Sequence, residues 1–159
     1  MKEFNKLITK IGNRCLPTIS ETHFKNALKL FLQYKAKHNC YEPSGMKIGS
    51  CNCLKTLLSR ENEIDKLVDF VTTFWQTPFV KRNDEFKKTI HGILRDKLNG
   101  CSDVLTHPPK IKFKGRLLSL IDYHVCLNAY LASMGIGHAK MRTVKKNTFQ
   151  ILLIKKRDT

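Results

Sequence analysis

Apolar residues recur at helical spacing through the first hundred positions of this chain, and that period commits its amino-terminal part to packed helices. Phe4, Leu7, Ile8 and Ile11 fall on one stripe, and Gly12-Asn13 ends it. Thr18-Ile19-Ser20-Glu21 has the form of a capping box. The helix it opens is expected to reach about Lys37, with Phe24, Ala27, Leu28, Phe31, and Leu32 or Lys35 on one stripe and Lys25, Lys29 and Lys37 off it. Ile64, Leu67, Val68, Val71, Phe74 and Trp75 form the clearest core stripe. Ser59 is read as the cap of that helix, and Glu61, Glu63 and Asp65 suit its positive end. Pro78 closes the segment. Asn83 is then expected to cap a helix with Phe86, Ile90, Ile93 and Leu94 inward, ended by Asn99-Gly100.

The pattern changes after Asn99. His107-Pro108-Pro109 reads as a rigid connector, and Lys110-Ile111-Lys112-Phe113-Lys114 alternates like a short strand. Residues 116–134, the most apolar stretch, read as one buried helix ending at Met134-Gly135. Residues 138–144, a Lys145-Lys146-Asn147 turn and residues 148–154 read as a hairpin, because Thr143, Val144, Thr148 and Ile151 favour strand. The expected fold is α+β: an N-terminal helical part followed by a small strand-helix-hairpin sheet. The expectation is a single domain over 1–159, with a mainly helical part at 1–100 and a basic β-α-β-β part at 108–159. No apolar run approaches the roughly 18 residues of a membrane span, so no membrane partner is expected.

Charge narrows the function. Lys and Arg number 29 against 13 Asp and Glu, a formal net charge of +16. From Pro108 onward only Asp122 and Asp158 oppose 11 basic residues. Such a surplus repels itself unless a polyanion offsets it. Lys110, Lys112 and Lys114 would share one strand face, roughly 6.6 Å apart, close to the pitch of phosphates along an extended strand. Arg116, Lys140, Arg142, Lys145 and Lys146 extend the patch. Contacts of this kind supply affinity and salt dependence without sequence readout. Aromatic residues are scarce on these segments, which argues against a stacking platform for single strands. Structured RNA read by shape is therefore favoured over DNA. The plain alternative is a solvated charged face.

Leu131-Ala132-Ser133-Met134-Gly135-Ile136-Gly137-His138-Ala139-Lys140 resembles the Gly-Ile-Gly turn of helix-hairpin-helix DNA-binding motifs. The resemblance implies that backbone amides of the turn contact a phosphate, helped by nearby Lys or Arg. Such motifs need a second helix, where the strand-prone residues above predict a hairpin. The alternative reading makes Gly135 a helix C-cap and Gly137 a residue that relieves a turn.

His38, Cys40, Cys51 and Cys53 are of the right types to surround one structural zinc ion, which would be the only cofactor. The competing reading starts a helix at Cys53 and leaves Cys51 a free thiol. Six cysteines without a visible secretory signal are read as reduced thiols of an intracellular protein, cytoplasmic or nuclear, with an acid-poor amino terminus also compatible with mitochondrial targeting. No P-loop, H-E-x-x-H or paired-carboxylate motif is present. His91, His107, His124 and His138 have no fixed geometry, and His124 is read as a core side chain in the 116–134 helix. The leading expectation is thus a non-enzymatic nucleic-acid-binding protein in a ribonucleoprotein or regulatory role. A protein-interaction module docking an acidic partner through Phe74, Trp75 and Phe79 stands second, and a metal-independent nuclease third.

Overall fold

A computed structural model describes residues 2–12, 14, 20–37, 52–60, 62–99 and 116–157. Among them the chain forms α1 (Lys2–Ile11), α2 (Glu21–Lys37), α3 (Cys53–Leu58), α4 (Glu63–Gln76), α5 (Phe79–Asn99), β1 (Leu118–Leu120), β2 (Tyr123–Val125), α6 (Leu127–Met134) and α7 (His138–Arg157). The fold is α+β, mostly helical, with one two-stranded antiparallel sheet and a helical amino-terminal part. A continuous hydrophobic core takes residues from every element, from Phe4 in α1 to Leu152 in α7.

The stripes in the first hundred residues pack as their period requires. Phe4 is fully buried between Phe24, edge-on at 5.8 Å, and Phe31 at 4.9 Å. Ion pairs Lys25–Asp69 at 3.2 Å and Lys29–Asp65 at 3.4 Å join α2 to α4 in opposite sequence order, so the two helices run antiparallel. These pairs are exposed and add little to stability; Leu28, Leu32, Leu67 and Val71 beneath them hold the contact. Caps differ from expectation. Ser59 ends α3, its hydroxyl donating to the Thr56 carbonyl, and α4 begins instead after Asn62 in the left-handed region. Ser20 accepts the His23 amide at α2, while Thr18 lies outside the described residues. Likewise α5 starts at Phe79, four residues before the expected Asn83 cap, because Pro78 opens it and its carbonyl accepts the Arg82 amide.

The carboxy-terminal part corrects the sequence reading twice. Residues 116–134 are not one helix. Leu118–Leu120 and Tyr123–Val125 pair as a tight hairpin, in the register Leu118 to Val125, Ser119 to His124 and Leu120 to Tyr123. Leu118, Leu120 and Val125 face the core, and Ser119 and His124 oppose each other on the exposed face, so His124 is not a core residue. The turn residues Ile121 and Asp122 have φ of 40° and 71°, the primed geometry that two-residue hairpins use. Helix α6 then starts after Cys126, whose Sγ accepts the Ala129 amide and whose own N–H donates to the buried Cys53 Sγ.

The expected hairpin at 138–154 is the helix α7, so from residue 116 onward the expected helix and hairpin are replaced by hairpin, helix, helix; the expected strand at 110–114 lies outside the described residues. Met141, Val144, Thr148, Phe149 and Leu152 are buried at helical spacing along it. That stripe outweighs the strand preference of its β-branched residues. Lys145-Lys146-Asn147, read as a turn, contains no Gly or Pro to break the helix. Between α6 and α7, Gly135 sits at φ 71° and closes α6 with paired bonds, Gly135 N–H to the Ala132 carbonyl and Ile136 N–H to the Leu131 carbonyl. A Cβ there would stand 2.9 Å from Ile8 Cδ1 and 3.2 Å from Phe4 Cζ. We expect Gly135→Ala to cost about 2–4 kcal/mol, left-handed strain and overpacking together, read as a lower urea midpoint with an unchanged m-value.

Candidate nucleic-acid interface

Two helices joined by Gly135-Ile136-Gly137 stand where the sequence resemblance needed them. Gly135 has the structural reason just given. Gly137 has none of that kind: its φ is not positive, and a Cβ placed on it meets nothing within 4 Å. Its carbonyl accepts the Met141 amide as α7 begins, so it occupies the N-cap position without a capping side chain. The first-turn amides beyond it carry the positive end of the helix dipole.

Basic side chains surround this turn, though not as a strand ladder. Arg142 and Lys146, one helical turn apart, lie on the exposed side of α7. Lys145 is half-buried. Lys140 turns the other way, its Nζ 5.2 Å from the Phe79 ring centroid. Arg116 is exposed just before β1. Lys110, Lys112 and Lys114 lie outside the described residues. Among the described residues, Arg116, Lys140, Arg142 and Lys146 form no ion pair; the pairs present join Glu3, Glu21, Glu63, Asp65 and Asp69 to cations of α2 and α4, with Arg95–Asp96 on α5. Exposed aromatic residues, Tyr34 and Phe70, belong to α2 and α4. Tyr130 is buried, and Tyr123 accepts a hydrogen bond from Arg60 at 2.8 Å.

Sequence reasoning missed the residues beneath the turn. A cleft of about 210 Å³ opens where α1, the α4–α5 corner and the 135–137 turn meet, with Trp75, Phe79, Arg82, Gly137 and Lys140 in its walls. Arg82 is only 2% exposed. Its guanidinium lies 4.3 Å from the Trp75 ring centroid and 5.5 Å from that of Phe79. It donates to the carbonyls of Gly12 at 2.8 Å, Arg14 at 3.1 Å and Thr77 at 3.2 Å. Trp75 is itself buried and donates from Nε1 to the Met134 carbonyl at 2.9 Å, so it is not the exposed docking anchor the sequence suggested. Burial, then the Arg82 and Lys87 charges, pushes the Lys140 amine below the ordinary lysine value. The available signal was Arg82 itself, a cation on the apolar stripe of Phe79, Phe86 and Ile90.

Of the candidate zinc ligands, His38, Cys40 and Cys51 lie outside the described residues, and Cys53 is buried as the first residue of α3. No group of three metal-ligating side chains occurs among the described residues. No helix among them is long and apolar enough to cross a membrane. Compared with protein-family models, curated proteins and solved structures, the chain has no match.

Arg82 holds three main-chain oxygens with one planar fork, a task a lysine point charge cannot perform. Arg82→Met is expected to lower unfolding free energy by about 2–4 kcal/mol in chemical denaturation, and Arg82→Lys to recover less than half of that.

Proposed function

We propose that this chain is a non-enzymatic nucleic-acid-binding protein that prefers structured RNA and grips the phosphate backbone with the α6–turn–α7 unit and its flanking cations. The observation that carries this reading is the segregation of charge: among the described residues, acidic side chains pair with cations on the α1–α2–α4 side, while Arg116, Lys140, Arg142 and Lys146 form no ion pair. Gly137 supports it, since a bare N-cap lets a phosphate oxygen approach first-turn amides. Among the described residues the exposed aromatic side chains, Tyr34 and Phe70, belong to α2 and α4 and not to this side, which favours backbone and shape recognition over base stacking. The Lys110–Lys114 ladder, next to Arg116 in sequence, is proposed to lengthen the same footprint.

Binding of RNA duplex, single-stranded RNA and DNA duplex across about 50–200 mM salt tests the reading, with affinity for duplex RNA expected to fall steeply. Arg142→Gln and Lys146→Gln should each reduce the log–log salt slope by about 1 and leave stability within about 0.5 kcal/mol. Gly137→Ala should weaken binding while costing less than about 1 kcal/mol of stability. Salt-steep binding confined to an acidic protein, with no nucleic acid bound, would replace this reading by a protein-docking one.

A further inference from the structure

Two cysteines 73 positions apart in the chain meet where α3 touches the start of α6. Cys53 opens α3, and its buried sulfur accepts the Cys126 N–H at 3.4 Å. Cys126 is half-buried between β2 and α6, and its own sulfur accepts the Ala129 N–H, also at 3.4 Å. Both residues are thiols. The backbone of Cys126 thus carries one sulfur and holds the other. The links from Cys53 Cα through its sulfur to Cys126 N and Cα would span about 8 Å if colinear, and ordinary bends at sulfur and nitrogen shorten that to about 6 Å. A disulfide joins Cα atoms roughly 4.4–6.8 Å apart, so the pair lies within bridging reach and side-chain rotation is the main motion required. Neither local role calls for sulfur. The oxygen of Ser, Thr, Asp or Asn would cap α6 better, and sulfur is a weak acceptor for the Cys126 amide.

We infer that Cys126 is a site of oxidation by hydrogen peroxide and that Cys53 resolves it into a Cys53–Cys126 disulfide. The asymmetry of the pair assigns the order. Cys126 has the solvent access that Cys53, 4% exposed, lacks. A thiolate is the attacking form, and the positive end of a helix favours it; Cys126 stands there, with the Ala129 N–H directed at its sulfur. That sulfur attacks one peroxide oxygen and the O–O bond breaks, leaving a sulfenic acid and a hydroxide, which takes up the thiol proton as water. The Cys53 sulfur then attacks the Cys126 sulfur, and its proton leaves with the displaced hydroxide as a second water. Two thiols and one hydrogen peroxide give one disulfide and two waters; each sulfur loses one electron and the peroxide oxygens gain both. The bridge ties α3 to the root of the α6–turn–α7 unit. The inference does not depend on that unit binding nucleic acid.

The test treats the reduced full-length protein with hydrogen peroxide, digests it without reductant and identifies the peptides by mass spectrometry. The expected product is a peptide pair joined through Cys53 and Cys126, two hydrogens lighter than its parts and separated again by dithiothreitol. It should form at least tenfold faster in buffer than in urea-unfolded protein, where the 73-position separation leaves contact to chance. Cys126→Ser keeps an oxygen cap for α6, and Cys53→Ser keeps an acceptor for the Cys126 amide, so both variants remove the chemistry with little change in packing. In Cys53→Ser the Cys126 sulfenic acid should accumulate and be captured by dimedone. In Cys126→Ser the Cys53 thiol should survive the same treatment. The assignment is overturned if native protein keeps both thiols under peroxide that oxidises the unfolded chain, or if Cys126 runs on to sulfinic acid with Cys53 still reduced. It is equally overturned if either residue is bridged instead to Cys15, Cys40, Cys51 or Cys101.

Discussion

The buried Arg82 guanidinium is the joint on which the carboxy-terminal half is set. From the first turn of α5 it reaches back to Gly12 and Arg14, at and beyond the end of α1, and to Thr77 at the α4–α5 corner. Its stacked partner Trp75 continues the chain of contacts by donating to Met134. Met134 is the last residue of α6, so one cation and one indole fix α1, α4, α5 and α6 against each other around a single point. A buried charge of this kind stabilises only while its fork is satisfied, because its desolvation would otherwise outweigh the stacking. Three oriented carbonyls meet that condition. Carbonyl oxygens satisfy its N–H donors without themselves carrying net charge.

Charge is distributed with the same asymmetry over the rest of the molecule. Exposed ion pairs across α2 and α4 are each worth little, but they occupy acidic side chains. Among the described residues Arg116, Lys140, Arg142 and Lys146 form no ion pair, and the net positive charge of the chain works against the compact state. The core offsets this with α7 packed on α5, where Phe86, Ile90 and Leu94 of α5 and Met141, Val144, Phe149 and Leu152 of α7 are buried. Apolar burial therefore carries a surface whose electrostatics disfavour folding, the arrangement expected where a ligand supplies the missing negative charge.

Helical periodicity was legible wherever a stripe ran for three turns between clear stops. Residues of α1, α2 and α4 could be assigned from Phe4 to Trp75 for that reason. Strand preference misled at Thr143, Val144 and Thr148, because β propensity mainly reports fit to a half-buried surface, and here that surface belongs to a helix. The hairpin at 118–125 was hidden for the opposite reason: its strands are three residues long, and Ile121-Asp122 carries no glycine to announce a primed turn. Of the site, Lys140, Arg142 and Lys146 were picked out by charge alone, with the wrong element beneath them. Arg82 and Lys87 were passed over, since a count of charges along the chain does not reveal which helix lies across from which. Only a cation on an apolar stripe, as at Arg82, hints from sequence that a charge will be buried.

The two glycines of the turn separate what folding requires from what it leaves open. At Gly135 the backbone is left-handed and Ile8 and Phe4 press close, so packing alone demands the residue. At Gly137 neither condition holds, and a larger residue with a capping oxygen would start α7 better. Gly137 nevertheless borders the cleft, three residues from Lys140 and five from Arg142. Because Gly135 is wedged on α1 and Gly137 opens α7, three residues connect the rigid joint at Arg82 to the cationic edge of the last helix. A phosphate seated against that edge would meet donors already positioned by the core, so little ordering would accompany its binding.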